Sequence, residues 1–326
     1  MSSGNGASPE HITSYHGQPV LKEPVWSQEI PLYFYLGGVA GASGGLAYLS
    51  ELRGNPELAR RSYAVAMAAL AVSPGLLISD LGRPERFLNM LRMFKVTSPM
   101  SVGSWILSGS GTATALAAAN AWTGWLPGPA RVARPAAALL GLPLSTYTAA
   151  LIANTAVPVW HEARRLLPWV FGSGAALGAG AAAVMVTPPA EAAPARRLAL
   201  GAAALEGPLM ELMVHRLGRQ GEPYKHGTPA VAANVSRAAI ISGAALLFRH
   251  GETSRPAAIA AGGLLSLGAL ATRLSVFKAG FSSAADPKYV IRPQRLGITQ
   301  GLRKGASRGD PRVGPPADLG SPATVR

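Results

Sequence analysis

Eight apolar stretches recur between two polar ends of the chain, each near the roughly 20 residues that a helix needs to cross a bilayer. They run Ile30–Ser50, Ser62–Leu81, Met100–Trp122, Pro135–Val157, Leu166–Val186, Leu198–Val214, Ala230–Phe248 and Ala257–Phe277. A water-soluble core can hide one or two such helices. Eight in succession, separated by short basic loops, have no polar surface left to cover them. The expected fold class is an all-α membrane protein with eight transmembrane helices. Span ends are marked by Arg60-Arg61, Arg83-Pro84, Arg131, Arg164-Arg165, Arg196-Arg197, Arg216 and Arg249. Trp26, Trp122, Trp125, Trp160 and Trp169 lie near those ends and are read as interfacial aromatics.

Composition narrows the chemistry. Charged residues make up 14% of 326 and hydrophobic ones 48%, far from a soluble balance. Without cysteine, this chain holds no disulfide, thiolate metal site or iron–sulfur cluster. The six histidines fall in the tails, in loops or at span ends, so no bis-His haem is expected. No catalytic group and no metal site is assigned. A net charge of +14 raises nucleic acid as a partner. The arginines and lysines are scattered over both faces of the membrane instead of forming one stripe, which excludes that class.

The chain divides into a polar segment 1–29, a first helical unit 30–157, a second unit 158–281 and a basic tail 282–326 rich in Gly, Pro, Arg and Ser, expected to be disordered. An even number of spans puts both termini on one side of the cell inner (plasma) membrane. Loop charges on the two sides nearly balance. The tail, with Lys288, Arg292, Arg295, Arg303, Lys304, Arg308 and Arg312, tips the assignment toward a cytoplasmic location for both termini. Small residues such as Gly37-Gly38, Gly41 and Gly44-Gly45 let helix backbones approach closely.

Ionisable residues at membrane depth are functional candidates by default. Glu206 and Glu211 lie in the sixth span, Arg237 in the seventh and Arg273 in the eighth. At 1.5 Å per residue, Glu206 and Arg237 reach a similar depth, roughly 12–13 Å, and are placed to pair. The four either lock the last three spans together or form a proton route. A second group gathers near the end of the molecule that carries the termini: Glu29, Tyr33, Asp80, Tyr147 and Asn154. Hydrogen-bonding groups at that depth suit the ring of a quinone, whose tail needs lipid access; interfacial anchoring or helix bridging explains each residue singly.

The loop after the second span mixes both charge signs with Phe87, Leu88, Met90, Leu91, Met93 and Phe94. Leu88 to Phe94 reads as a short amphipathic helix in the interface. Arg83, Glu85, Arg86, Phe87 and Arg92 are candidates for docking a peripheral subunit; a cap over the chain's own helices is the other reading.

This loop, DLGRPERFLNMLRMFKVTSPMSVGSW (Asp80–Trp105), resembles the signature of the NrfD-type, or polysulfide-reductase-type, integral membrane subunits. WSQEIPLYFYLGGVAGASGG (Trp26–Gly45) and YTAALIANTAVPVWHEARRLLPWVFGSGA (Tyr147–Ala175) are similar to it as well. The resemblance implies two four-helix bundles without haem. It also implies a quinone site (menaquinone or ubiquinone) beside a face at residues 80–105 that docks a four-cluster ferredoxin-like iron–sulfur subunit, itself joined to a molybdopterin catalytic subunit. By position in the matching motifs, Glu29, Tyr33, Asp80 and Tyr147 are the quinone-site residues it implies. Tyr33 stands where some relatives carry His. A different class, a proton-coupled secondary transporter, uses Glu206, Glu211, Arg237 and Arg273 as its coupling site, with Gly207-Pro208 breaking the sixth span.

Overall fold

The computed structural model describes residues 21–290 except Gly82 and Pro84; the expected tail beyond Val290 lies outside the described residues. The described chain is all-helical. Its elements are α1 (Ile30–Leu52), α2 (Pro56–Asp80), the short α3 (Arg86–Arg92), α4 (Pro99–Thr123), α5 (Pro127–Ala153), the short α6 (Pro158–Glu162), α7 (Leu167–Val186), α8 (Ala193–Leu217), α9 (Gly227–His250) and α10 (Arg255–Ala285). Two 3₁₀ segments, Ala163–Arg165 and Gly218–Lys225, follow α6 and α8. Among the described residues, six helices are long and apolar enough to cross a membrane: α2, α5, α7, α8 with its 3₁₀ extension, α9 and α10. The remaining long helices, α1 and α4, are diluted by glycine, serine and threonine.

Local chemistry sets the boundaries. Most of the long helices begin with proline in their first turn, where its missing N–H costs nothing and its φ is already helical. The Asn55 side chain accepts the Leu58 amide at 3.0 Å, so α2 starts at Pro56, six residues before the apolar stretch does. Ser98 and Ser254 cap α4 and α10 in the same way. Gly124, at φ 75°, closes α4 in the left-handed conformation. α10 continues to Ala285, past the expected start of the tail, and Tyr289 and Val290 are still buried.

Packing follows the small residues. α1 lies against α2 and α5, and α4 closes against the same two. α10 lies against α9 and α7, and α8 against α7, with less contact to α9. α1 and α7 meet across the middle, where Tyr35 and Val39 approach Gly178. The aromatic core gathers at the end that carries α3: Tyr33, Phe34, Trp160, Phe171 and Phe277 are all buried there. Trp160 departs from expectation. It is fully buried, stacks on Trp26 with ring centroids 5.4 Å apart, and donates its indole N–H to Val276 O at 2.8 Å. Trp122, Trp125 and Trp169 are exposed. At the opposite end, Arg255 donates to the carbonyls of Val184, Met185 and Thr187, and Arg61 donates to Val186 O at 2.6 Å. These guanidiniums close the C-terminus of α7, where backbone acceptors have no helical partner.

Candidate functional site

Tyr33 of α1, Asp80 at the end of α2 and Tyr147 of α5 come together around one small cavity of about 40 Å³. Each arrives for a local reason. Tyr33 lies one turn into α1 and is buried. Asp80 is held by the entering chain, whose Ser27 amide donates to its Oδ1 at 2.7 Å. The Tyr147 ring lies over Gly103 of α4, where any β-carbon would collide with it. Met90, Met100 and Ser104 complete the wall, so the loop 80–105 is itself one side of the cavity. Trp26 also lines the cavity and is stacked on Trp160. A further tie, from Lys278 Nζ to Gln28 Oε1 at 2.5 Å, fixes the entering segment to α10.

The other two candidates stand apart. Glu29 stands at the N-cap position of α1 without a side-chain capping bond, is exposed and does not line the cavity. Asn154 stands at the C-terminus of α5 and is exposed as well. The residues that sequence reasoning overlooked, Gly103, Ser104, Trp26 and Ser27, all lie within the motifs quoted above. Gly103 in particular is legible only once Tyr147 is seen against it.

The loop forms a helix over Arg86–Arg92, two residues earlier than Leu88–Phe94. Ser101 explains the shift: its Oγ donates to Met93 O at 2.8 Å and accepts the Lys95 amide at 3.1 Å, holding residues 93–95 extended. Arg83, Glu85 and Arg92 are exposed, and Phe87 is half-buried; the Arg86 side chain lies outside the described residues. Met93, Phe94 and Val96 expose large apolar side chains beside these charges. Farther along the same end, Lys288 reaches Asp286 at 3.2 Å and Glu222 at 3.4 Å. Tyr289 and Asp286 beside it hold its ammonium above the ordinary lysine range.

The four membrane-depth charges pair differently from expectation. Arg237 is bonded to Glu211 and donates to Asn234 Oδ1 at 2.9 Å, and both partners of that ion pair are exposed on the helix surface. Glu206 instead points inward, 1% exposed, toward Arg273. Gly174 of α7 separates them: a β-carbon there would stand 2.9 Å from Glu206 Oε1 and 3.0 Å from Arg273 Nη2. Arg273 donates to Phe171 O at 2.5 Å and sits 3.9 Å over the Phe171 ring. Equal depth did not decide the pairing: Glu206 is buried, whereas Arg237 is exposed and paired with Glu211. Glu206, Glu211 and Arg237 line a second cavity of about 420 Å³ between α8, α9 and α10.

An NrfD-type family profile, described as polysulfide reductase, matches residues 12–285. The chain belongs to this family of membrane subunits of oxidoreductase complexes, and it is a multi-pass membrane protein. A comparison with curated proteins finds no match.

Proposed function

We propose that the chain is the quinone-binding membrane subunit of an oxidoreductase complex, exchanging electrons with an iron–sulfur subunit docked on the loop 80–105. The single observation carrying this reading is that Tyr33, Asp80 and Tyr147 share a cavity whose wall is that loop. A ring bound there would lie against the surface that a partner covers. The donor set suits the ring: two phenols offer O–H groups to carbonyl oxygens, and Asp80 offers a proton acceptor, while the Ser104 hydroxyl is already bonded to Ser101 O at 2.8 Å. The space does not yet suit it, since about 40 Å³ holds little more than a water. Met90 and Met100, unbranched and adaptable, are the lining side chains best able to give way.

When bound, a quinone supplies the two-electron, two-proton chemistry that a cysteine-free chain lacks. The chain's own groups position the ring, exclude water through the Trp26–Trp160 stack and hold a proton at Asp80. Eight spans in two four-helix bundles fit the packing, with α1, α2, α4 and α5 closing one ring of contacts and α7 to α10 another. Arg83, Glu85, Arg86, Phe87 and Arg92 are the proposed docking residues, and a molybdopterin subunit lies beyond the iron–sulfur partner. Both termini are assigned to the cytoplasmic side of the plasma membrane. The test is Tyr147→Phe in the assembled complex. Quinol-linked turnover falls about tenfold, the value of one lost hydrogen bond of about 1.4 kcal/mol, while subunit assembly is unchanged. Full turnover overturns the site.

The 420 Å³ cavity with its three charged residues favours a second reading, a proton-coupled transporter. Substrate flux by the chain alone in proteoliposomes supports that reading; co-purified iron–sulfur and molybdenum subunits oppose it.

A further inference from the structure

A third cavity, of about 340 Å³, opens between the 3₁₀ segment Ala163–Arg165 and the last turn of α8. It backs onto the aromatic core at the end that carries α3, through Ala163, Leu166 and Met213. Three of its lining residues are arginines, Arg164, Arg165 and Arg216, against one carboxylate, Glu162. Arg164 is held within its own segment: it lies 3.9 Å from Glu162 and donates to His161 O at 3.0 Å. Arg165 and Arg216 have no carboxylate partner among the described residues. The carbonyl end of α8 accounts for a cation in its last turn. It does not account for a second guanidinium brought to the same space by another element. Like charges that line one cavity repel, and an anion between them removes that cost.

The surroundings favour a lipid over a free ion. Leu166, Met213 and Leu217 give the cavity an apolar wall, which a hydrated ion does not need. On α8, at 3.6 residues per turn, Leu205, Leu212 and Arg216 fall within about 40° of one another around the axis. Both leucines are exposed, so the outward face of this spanning helix leads to the guanidinium. Leu205 to Arg216 is a rise of about 16 Å, roughly half the hydrocarbon thickness and so the reach of one leaflet. Trp169, in the first turn of α7 and exposed, marks the headgroup level beside it. Charge then selects the headgroup. Three guanidiniums outweigh one carboxylate, and a zwitterionic headgroup would bring a further cation into that field. We infer that this cavity binds an anionic phospholipid of the phosphatidylglycerol class, its phosphodiester held by Arg165 and Arg216 and an acyl chain lying along Leu205 and Leu212. Guanidinium suits the phosphate because its N–H groups donate in pairs. This site stands whether or not the Asp80 cavity binds a ring.

The experiment titrates the full-length chain, delipidated in detergent, with dioleoyl phosphatidylglycerol or dioleoyl phosphatidylcholine, and native mass spectrometry reads the bound lipid. Phosphatidylglycerol is expected to bind at least tenfold more tightly. Arg165→Gln with Arg216→Gln removes that preference. Arg219→Gln with Lys225→Gln, the same loss of charge at the same end but outside this cavity, keeps it. Arg165→Lys with Arg216→Lys, which retains the charge, falls between the two. A phosphatidylglycerol carrying a diazirine in its acyl chain labels α8 between Leu205 and Leu212 in the unaltered protein, a result that needs no variant to fold. Equal binding of the two lipids overturns the inference, as does equal loss of preference in both Gln pairs or an α8 without label. Displacement of the lipid by millimolar inorganic phosphate would make this a free-phosphate site, and displacement by poly-glutamate a docking site for an acidic protein; either overturns it.

Discussion

Gly41 of α1 and Gly141 of α5 meet backbone to backbone: a β-carbon on either would run into the other's carbonyl oxygen. Ser145 Oγ, one turn along α5, lies 3.3 Å from Gly38 O and donates to Gly141 O at 2.8 Å, in the same crossing. In lipid, where apolar burial drives no helix association, such close approach is a main source of cohesion. Gly141→Ala is expected to destabilise by about 1–3 kcal/mol, as overpacking does. Thermal unfolding in detergent measures it; an unchanged midpoint would show that the crossing is loose.

Trp160 is held by its indole bond to Val276 O and by Gly280, which leaves room for the ring. Any β-carbon at position 280 would enter the Trp160 ring. Gly280→Val should therefore push the indole out of its site and release Trp26 with it. Tryptophan emission shifts to longer wavelength and quinol-linked turnover drops, whereas Trp160→Phe keeps an aromatic ring in the site and costs about 1 kcal/mol for the lost bond plus the cavity left by the smaller ring.

Arg273 is the only guanidinium that faces Glu206 among the described residues, across Gly174. Arg273→Leu strands a buried carboxylate and is expected to cost about 3–5 kcal/mol. Adding Glu206→Leu removes the stranded charge and recovers at least half of that loss. A double variant no more stable than Arg273→Leu alone would mean that the two groups do not interact, and unfolding midpoints of the set decide.

Asp80 fixes the entering segment through the Ser27 amide. Asp80→Ala removes the acceptor, so residues 21–29 should lift from the cavity mouth. Limited proteolysis cuts this segment faster in the variant, and Asp80→Asn, which keeps an acceptor oxygen, restores the protection. Equal cutting rates in all three proteins would place the segment's anchor elsewhere.

The helical, membrane-crossing character was legible in the sequence because spacing alone carries it: apolar runs of bilayer length with Arg and Trp at their ends need no tertiary knowledge. Tyr33, Asp80 and Tyr147 were legible for a related reason, since helix length and direction put them at one depth. Direction around a helix axis is another matter. Glu29 and Asn154 share that depth and point away, and Glu206 matches Arg237 in depth yet faces Arg273. Charge counting across the loops was ambiguous, and two of the counted arginines, Arg61 and Arg255, are bound to the carbonyl end of α7. They are structural caps as much as topology signals. The sequence by itself determined that the chain is a series of apolar helices and which end bears the polar cluster, all properties of one segment at a time. Only the tertiary structure decided which faces meet, through contacts such as Gly41 on Gly141 and Trp160 on Gly280, because rotation of one helix against another is fixed by both partners at once.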